Sequence, residues 1–292
     1  MIQRFDQLHP FVSFFYYFGA IVLLMLLQHP ISLSFAFLII VSIHIAYDKC
    51  KSLRQWVPFI FITGLFILLL NPIFNERGRH VVVEILGHRV TLEALVYGGM
   101  TGLTIMGIIA LFVSYNEVMT PNKLLFLFSK IMPQFAVLLM LTLRFIPLMK
   151  RRLDDISTIQ QSKGITVVEG PWKNKVKNGL MYVQVLLTYS LEEAIQTADS
   201  MKSREYGKHK RSSYEYFRFR SMDVFAIILL CSFLVISIVG RMNGHVYLNV
   251  YPVMDSMYMT SLDMTFLLLF CLYLAFPILV QVGGYIRWHL LN

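Results

Sequence analysis

The side chains in this sequence that could carry chemistry are two acidic pairs, eight histidines, three cysteines and a cluster of methionines. Adjacent carboxylates such as Asp154-Asp155 hold Mg²⁺ against a diphosphate when a third Asp and a second acidic cluster complete the cage. Here Ser157-Thr158 follow, and no second cluster appears. Glu192-Glu193 would serve intramembrane proteolysis if an Arg stood four residues after the second Glu, but Thr197 stands there and the pair reads as exposed carboxylates. The histidines (His9, His29, His44, His80, His88, His209, His245 and His289) include no two at the i, i+4 spacing that binds a metal from one helix face. His44 falls inside an apolar run, where it reads as a satisfied packing residue. Met254, Met257, Met259 and Met264 have the softness for metal capture, but adaptable packing is the simpler reading. Cys50, Cys231 and Cys271 lie in or beside apolar runs and offer neither a disulfide framework nor ligand spacing. No Gly-x-x-x-x-Gly-Lys-Ser/Thr phosphate loop occurs in the chain. The expectation is a non-enzyme with no catalytic residues, no metal site and no cofactor of its own.

The elements that position these residues are dominated by the bilayer. The 292 residues are 57% hydrophobic and 15% charged, with a mean hydropathy of +0.62. Soluble domains average roughly 45–50% apolar and about 25% charged, so this is an integral membrane protein. Crossing about 30 Å of hydrocarbon takes around 20 residues. Six runs approach that length: Phe11 to Leu27, Ile31 to Tyr47, Val57 to Leu70, Leu92 to Val113, Val224 to Gly240 and Met264 to Val282. The first has no small-residue cleavage site after it and reads as a span, not a leader. Several runs are short, so tilt, thinning or aromatic interface residues such as Tyr16, Tyr17, Trp56 and Tyr115 must make up the length. A seventh run, Gln134 to Met149, carries Arg144 inside and Lys150-Arg151-Arg152 at its end. A central Arg costs about 2.5–3.5 kcal/mol on insertion scales, so this run reads as a helix packed in or under the bilayer.

Six spans put both termini and residues 115–222 on one side. That side holds 22 of the 26 Lys and Arg, against Arg77, Arg79, Arg89 and Arg241 opposite. By the positive-inside rule it is the cytoplasm. The net charge of +9 is therefore read against the bilayer, with no nucleic-acid partner. The expected organisation is a membrane domain over 1–114, a cytoplasmic or membrane-embedded coupling domain over 115–222, and a second membrane domain over 223–292. Between Asn71 and Glu93, Val81-Val82-Val83-Glu84-Ile85 and Val90-Thr91-Leu92 flank Leu86-Gly87-His88-Arg89, which predicts a small outer hairpin. The basic and aromatic stretch 208–220 fits a headgroup-facing approach to the next span.

Within the central block the apolar period becomes helical. Val176, Leu180, Val183, Leu187, Leu191, Ala194, Ala198 and Met201 recur at steps of three and four, which predicts a long helix packed along that stripe. Lys173, Lys177, Gln184, Glu192, Gln196, Asp199 and Lys202 form its polar side. An earlier helix runs through Leu148, Leu153, Ile156 and Ile159. The first closes on Ser162-Lys163-Gly164 and the second on Ser203-Arg204-Glu205-Tyr206-Gly207. In each, a small residue precedes a cation favoured by the helix dipole, and then comes a Gly, Gly164 or Gly207, able to take a left-handed stop. Two ordinary capped helices would show this pattern, and so would two cationic ends offered to an acidic groove of a partner. A rigid amphipathic pair lying along the membrane suits a scaffold that transmits work done by another polypeptide.

The order Leu143-Arg144-Phe145-Ile146-Pro147, then Ser162-Lys163-Gly164, then Ser203-Arg204-Glu205-Tyr206-Gly207 resembles the transmembrane (T) component of energy-coupling-factor transporters, the EcfT/CbiQ family. Asn71-Pro72-Ile73-Phe74 and the stretch Thr91 to Gly98 are similar to its loop between spans three and four. The resemblance implies an all-α integral membrane protein of about six transmembrane helices plus a cytoplasmic coupling domain of long amphipathic helices. It further implies two ABC-type ATPases as partners, with ATP and Mg²⁺ bound by them, and a separate substrate-binding membrane S component. The cargo, a vitamin or a transition metal, would be chosen by that subunit. Family members carry two Ala-Arg-Gly signatures, the second usually within Met-x-Ala-Arg-Gly-Tyr. Carried over, they make Ser162, Lys163, Gly164, Ser203, Arg204 and Glu205 the ATPase contacts, with Arg144, Pro147 and Gly207 structural. Lys163 replaces Arg and loses its bidentate fork. Ser replaces Ala twice, and Glu205 replaces Gly, adding an anion beside Arg204, which implies a second site that is either weaker or matched to a partner whose groove carries a compensating cation. The rival classes are a self-contained secondary transporter, which would need broken helices or polar groups near the midplane around Thr63-Gly64, Gly98-Gly99 and Gly102, and a membrane-embedded enzyme.

Overall fold

The computed structural model describes residues 5–48, 51–75, 78–85, 88–208, 217–251 and 254–291. Among them lie nine helices and one hairpin. Residues 209–216 of the basic and aromatic stretch, and Leu86-Gly87 of the hairpin turn, lie outside the described residues. The chain falls into two compact units, Met1–Leu124 with Phe217–Asn292, and Leu125–Tyr216.

The first unit begins with a 3-10 turn, Phe5–Gln7. Helix α1, Pro10–Leu26, starts where Pro10 fits the first helical position and His9 Nδ1 accepts the N–H of Phe11 at 3.2 Å. Helices α2 (Pro30–Asp48) and α3 (Lys51–Phe74) follow. The antiparallel hairpin β1 (Val81–Ile85) and β2 (His88–Thr91) comes next, where the β-branched runs predict it. Helix α4 (Leu92–Val118) opens on Thr91, whose hydroxyl accepts the N–H of Ala94 at 3.3 Å. The fully buried Glu93 ties hairpin to helix: its carboxylate accepts the N–H groups of Arg79 and His80 and the His80 ring at 2.8 Å.

Helix α5 (Pro121–Ile131) leads out of this unit, α6 (Pro133–Ser162) and α7 (Trp172–Ser203) belong to the second, and α8 (Ser221–Met242) and α9 (Ser261–Leu291) return to the first. Among the described residues, six helices have the length and apolar composition to cross a membrane, namely α2, α3, α4, α6, α8 and α9. The chain is an all-α, multi-pass membrane protein. The membership of that set differs from the sequence reading in two places. Helix α1 is apolar but only 17 residues long, about 25 Å at 1.5 Å per residue. Helix α6 enters the set because its 30 residues include an apolar first half, although Lys150-Arg151-Arg152 begin its polar second half.

Aromatics fill one end of the first unit's core. Phe5, fully buried, meets Tyr16, Tyr17, Tyr47 and Phe276 edge-on at centroid distances of 5.4, 6.1, 6.5 and 6.1 Å. Two buried tyrosine hydroxyls nearby find partners: Tyr16 donates to the Leu274 carbonyl at 2.8 Å, and Tyr17 lies 2.7 Å from Ser114 Oγ. His44 is buried, with Nε2 3.0 Å from the Ala110 carbonyl, so its ring is satisfied by packing. The segment after α8 covers the α1–α2 turn. Val246, Leu248 and Val250 are buried there, Leu248 N–H donates to the Gln28 carbonyl, and the Arg241 guanidinium lies 3.7 Å from the Tyr247 ring centroid.

Gly98 and Gly102 bring α4 against α3. A Cβ on Gly102 would lie 3.2 Å from the Gly64 carbonyl, and one on Gly98 would lie 3.0 Å from Asn71 Cβ. Four-residue spacing of glycines is how membrane helices approach closely. Both helices run unbroken through these positions. The glycines a secondary carrier would use to interrupt its helices serve here as a packing seam.

Candidate functional site

Helices α6 and α7 form an antiparallel pair. Pro133 suits the first position of α6, and the connection 163–171 returns on Gly164, Gly170 and Pro171. That loop is stitched to the start of α7, where Asn178 Nδ2 donates to the Thr166 carbonyl at 2.7 Å and Tyr182 OH to the Ile165 carbonyl at 2.6 Å. Further along, Ser190 Oγ donates to Met149 Sδ at 3.0 Å and Arg152 lies over the Tyr189 ring at 5.8 Å. Beyond the end of α7, Tyr206 and Gly207 share a cleft of about 680 Å³ with Gln134, Leu138, Leu141 and Phe145 in the first half of α6.

The face that α7 turns to α6 is not its apolar stripe. Tyr182 is buried and Val185, Leu186 and Ser190 are half-buried, whereas Leu180, Leu187 and Leu191 are 64, 63 and 65% exposed. The stripe expected to pack is thus the open face of this unit. The loop hydrogen bonds and Tyr182 set the rotation of α7, and they lie on a different side of the helix. Glu192 lies exposed with its carboxylate accepting from Gln196 Nε2 at 3.3 Å, and Asp154 and Asp155 are exposed on α6. Among the described residues no three His, Cys, Asp or Glu side chains come together as metal ligands.

The two helix ends have one geometry. At the end of α6, Ile165 N–H donates to the Gln160 carbonyl at 2.9 Å and Gly164 N–H to the Gln161 carbonyl at 2.9 Å. Lys163 is the C-cap and Gly164 is left-handed, with φ 76°. At the end of α7, Tyr206 N–H donates to the Met201 carbonyl at 3.0 Å and Glu205 N–H to the Lys202 carbonyl at 3.0 Å. Arg204 is the C-cap and Glu205 is left-handed, with φ 57°. Each end is a Schellman motif, in which two backbone N–H groups past the helix satisfy two of its last carbonyls. Ser162 Oγ donates back to the Thr158 carbonyl at 2.8 Å, and Ser203 Oγ to the Ser200 carbonyl at 2.9 Å. All six residues are exposed.

This corrects the expectation for Gly207. The left-handed stop of α7 is Glu205, and Gly207 (φ 94°) makes a further turn two residues later. The closing bonds fix the left-handed position immediately after the C-cap, whichever residue stands there. A side chain with a Cβ costs roughly 1–2 kcal/mol in that region, and Glu205 adopts it with its carboxylate 2.8 Å from Lys208 Nζ. Neither Glu205 as a left-handed residue nor Lys208 as its partner is singled out by the sequence reading. The signal was available in the offset, because Glu205 follows Ser203-Arg204 as Gly164 follows Ser162-Lys163.

The ends are brought together in kind and kept apart in space. Ile165 is bonded to Tyr182, and from Tyr182 to Arg204 the chain climbs 22 residues of α7, about 33 Å. Lys163 and Arg204 therefore stand at opposite ends of the pair. Arg144 and Pro147 lie mid-way along α6, both exposed. The Arg144 guanidinium is 5.3 Å from the Phe145 ring, and α6 continues through Pro147. Each helix of the pair thus ends on an exposed cation, where the dipole favours it.

Residues 2–215 match a family model described as cobalt transport protein, CbiQ. The chain is 23% identical over 250 residues to a Staphylococcus aureus protein named energy-coupling factor transporter transmembrane protein EcfT, covering 82% of this chain and 93% of that one. It is 26% identical over 204 residues to a Listeria innocua protein of the same name, covering 63% and 77%. A Bacillus subtilis protein, also so named, is 26% identical over 184 residues, covering 59% and 69%. With a family match across most of its length, this chain belongs to the EcfT/CbiQ family of transporter membrane components.

Proposed function

We propose that the chain is the energy-coupling scaffold of an ECF-type ABC uptake transporter, gripped on the cytoplasmic side by two ATPases at the ends of α6 and α7. The observation that carries this reading is the repeated cap, Ser162-Lys163-Gly164 on one helix and Ser203-Arg204-Glu205 on the other, at opposite ends of one antiparallel pair. Two tips that far apart suit two partner molecules, each taking one tip into an acidic groove. Nucleotide and Mg²⁺ are bound by those partners, and this chain is not itself an enzyme. Closure of the ATPase pair pulls on two ends of a stitched hairpin and so turns it as a lever.

The open stripe of α7 through Leu180, Leu187 and Leu191 gives a substrate-binding membrane subunit an apolar surface on the same lever, beside lipid. That separate subunit chooses the cargo, a vitamin or a transition metal. Both termini lie in the cytoplasm, on the side of the cation-rich central block.

The test is recovery of the co-expressed ABC-type ATPases with the chain in mild detergent. Reversal of charge by Arg204→Glu is expected to abolish their recovery while the variant still inserts in the membrane, and Lys163→Glu is expected to weaken it by less. Undiminished recovery with Arg204→Glu would remove the basis of the proposal.

A further inference from the structure

The two helix ends match in backbone and differ in charge. At the left-handed position α6 has Gly164, around which a Cβ would meet nothing within 4 Å. At the same position α7 has Glu205, with φ 57°. Glycine would close that cap without a Cβ to accommodate, so the carboxylate is not what the turn requires. The acid is 51% exposed and holds Lys208 Nζ at 2.8 Å, itself 69% exposed. A solvent-screened i, i+3 pair of this kind contributes little to stability. Unfavourable backbone retained at an exposed position concentrates where a surface is used for recognition.

We propose that Glu205 is a specificity-determining residue of the α7 end, which exchanges Lys208 for a lysine or arginine of the ATPase when Arg204 enters its acidic groove. The inference rests on the reading of the helix ends as ATPase contacts. Lys208 then marks where the incoming cation sits and keeps the carboxylate paired until the partner arrives. The α6 end, Lys163 beside Gly164, asks only for acid. The α7 end asks for an acid and a base side by side, and a groove that is acidic throughout repels it. Such charge placement suppresses wrong docking more than it adds affinity.

The experiment is titration of the full-length chain, in mild detergent, with the ABC-type ATPases encoded in its own genome, over a range of salt. Glu205→Gly is the decisive variant, because it relaxes the cap. A purely structural Glu205 predicts binding as tight as wild type or tighter, and that result overturns the inference. A recognition role predicts a melting temperature at or above wild type with ATPase affinity lowered about tenfold. Glu205→Lys should weaken binding further. Lys208→Gln, which removes the competing cation, should tighten it severalfold, and weaker binding there counts against the exchange. Arg204→Glu separates this inference from the reading beneath it. If only the Glu205 variants keep wild-type affinity, this inference fails alone; if Arg204→Glu keeps it too, both fail.

Discussion

Replacing Glu205 by glycine takes a Cβ out of left-handed backbone while leaving the two closing hydrogen bonds of the α7 cap in place. The change is expected to stabilise that helix end by roughly 1 kcal/mol, read as slower hydrogen exchange at residues 201–206. An unchanged or faster rate would mean that the Lys208 pair holds the turn. At this scale the order of residues was legible from the sequence, since Ser-Lys-Gly and Ser-Arg-Glu stand at the ends of two amphipathic stretches. What was not legible was which residue turns left. Gly207 drew attention because glycine is the usual left-handed residue, but the position is set by the bonds to the Met201 and Lys202 carbonyls, and these depend on where α7 stops. The cation expected in the last turn of each helix, Lys163 or Arg204, is instead the C-cap residue one position beyond it.

Elements are held by contacts that a pattern of apolar residues does not name. In the membrane unit, Gly102 allows α4 to approach the Gly64 carbonyl of α3. Gly102→Val is expected to force the helices apart and to cost about 1–3 kcal/mol, seen as a lowered melting temperature in detergent and reduced membrane abundance. In the other unit, Tyr182 donates to the Ile165 carbonyl at 2.6 Å. Tyr182→Phe should cost about 1 kcal/mol and loosen the 163–171 loop, measured as faster exchange there with little change at the far end of α7. The helical period made α7 visible from sequence and the β-branched runs made the hairpin visible. The rotation of α7 was hidden, because it follows from Tyr182, Asn178 and the loop they bind, while the stripe reports only where apolar residues lie. The segment covering the α1–α2 turn was hidden too, since Val246, Leu248 and Val250 lie in a connection with neither the length of a span nor a helical period.

For the whole molecule, composition was enough to identify a membrane protein, and the count of six helices able to span follows from length and hydropathy. Which helices make up that count depends on marginal cases, with α1 short and α6 half apolar and half basic, and a sequence window sees neither half in isolation. On the proposed reading, α6 and α7 act as one lever with an ATPase-binding tip at each end, some 33 Å apart along α7. One ATPase at each tip is the expected arrangement. The direct measurement is site-specific cross-linking in native membranes, with single cysteines placed beside the two cap cations, at Ser162 and at Ser203, in a chain lacking Cys50, Cys231 and Cys271. The account predicts that each cysteine captures an ATPase subunit and that a chain carrying both captures two. Capture of neither, or of a single ATPase bridged by both tips, would contradict it.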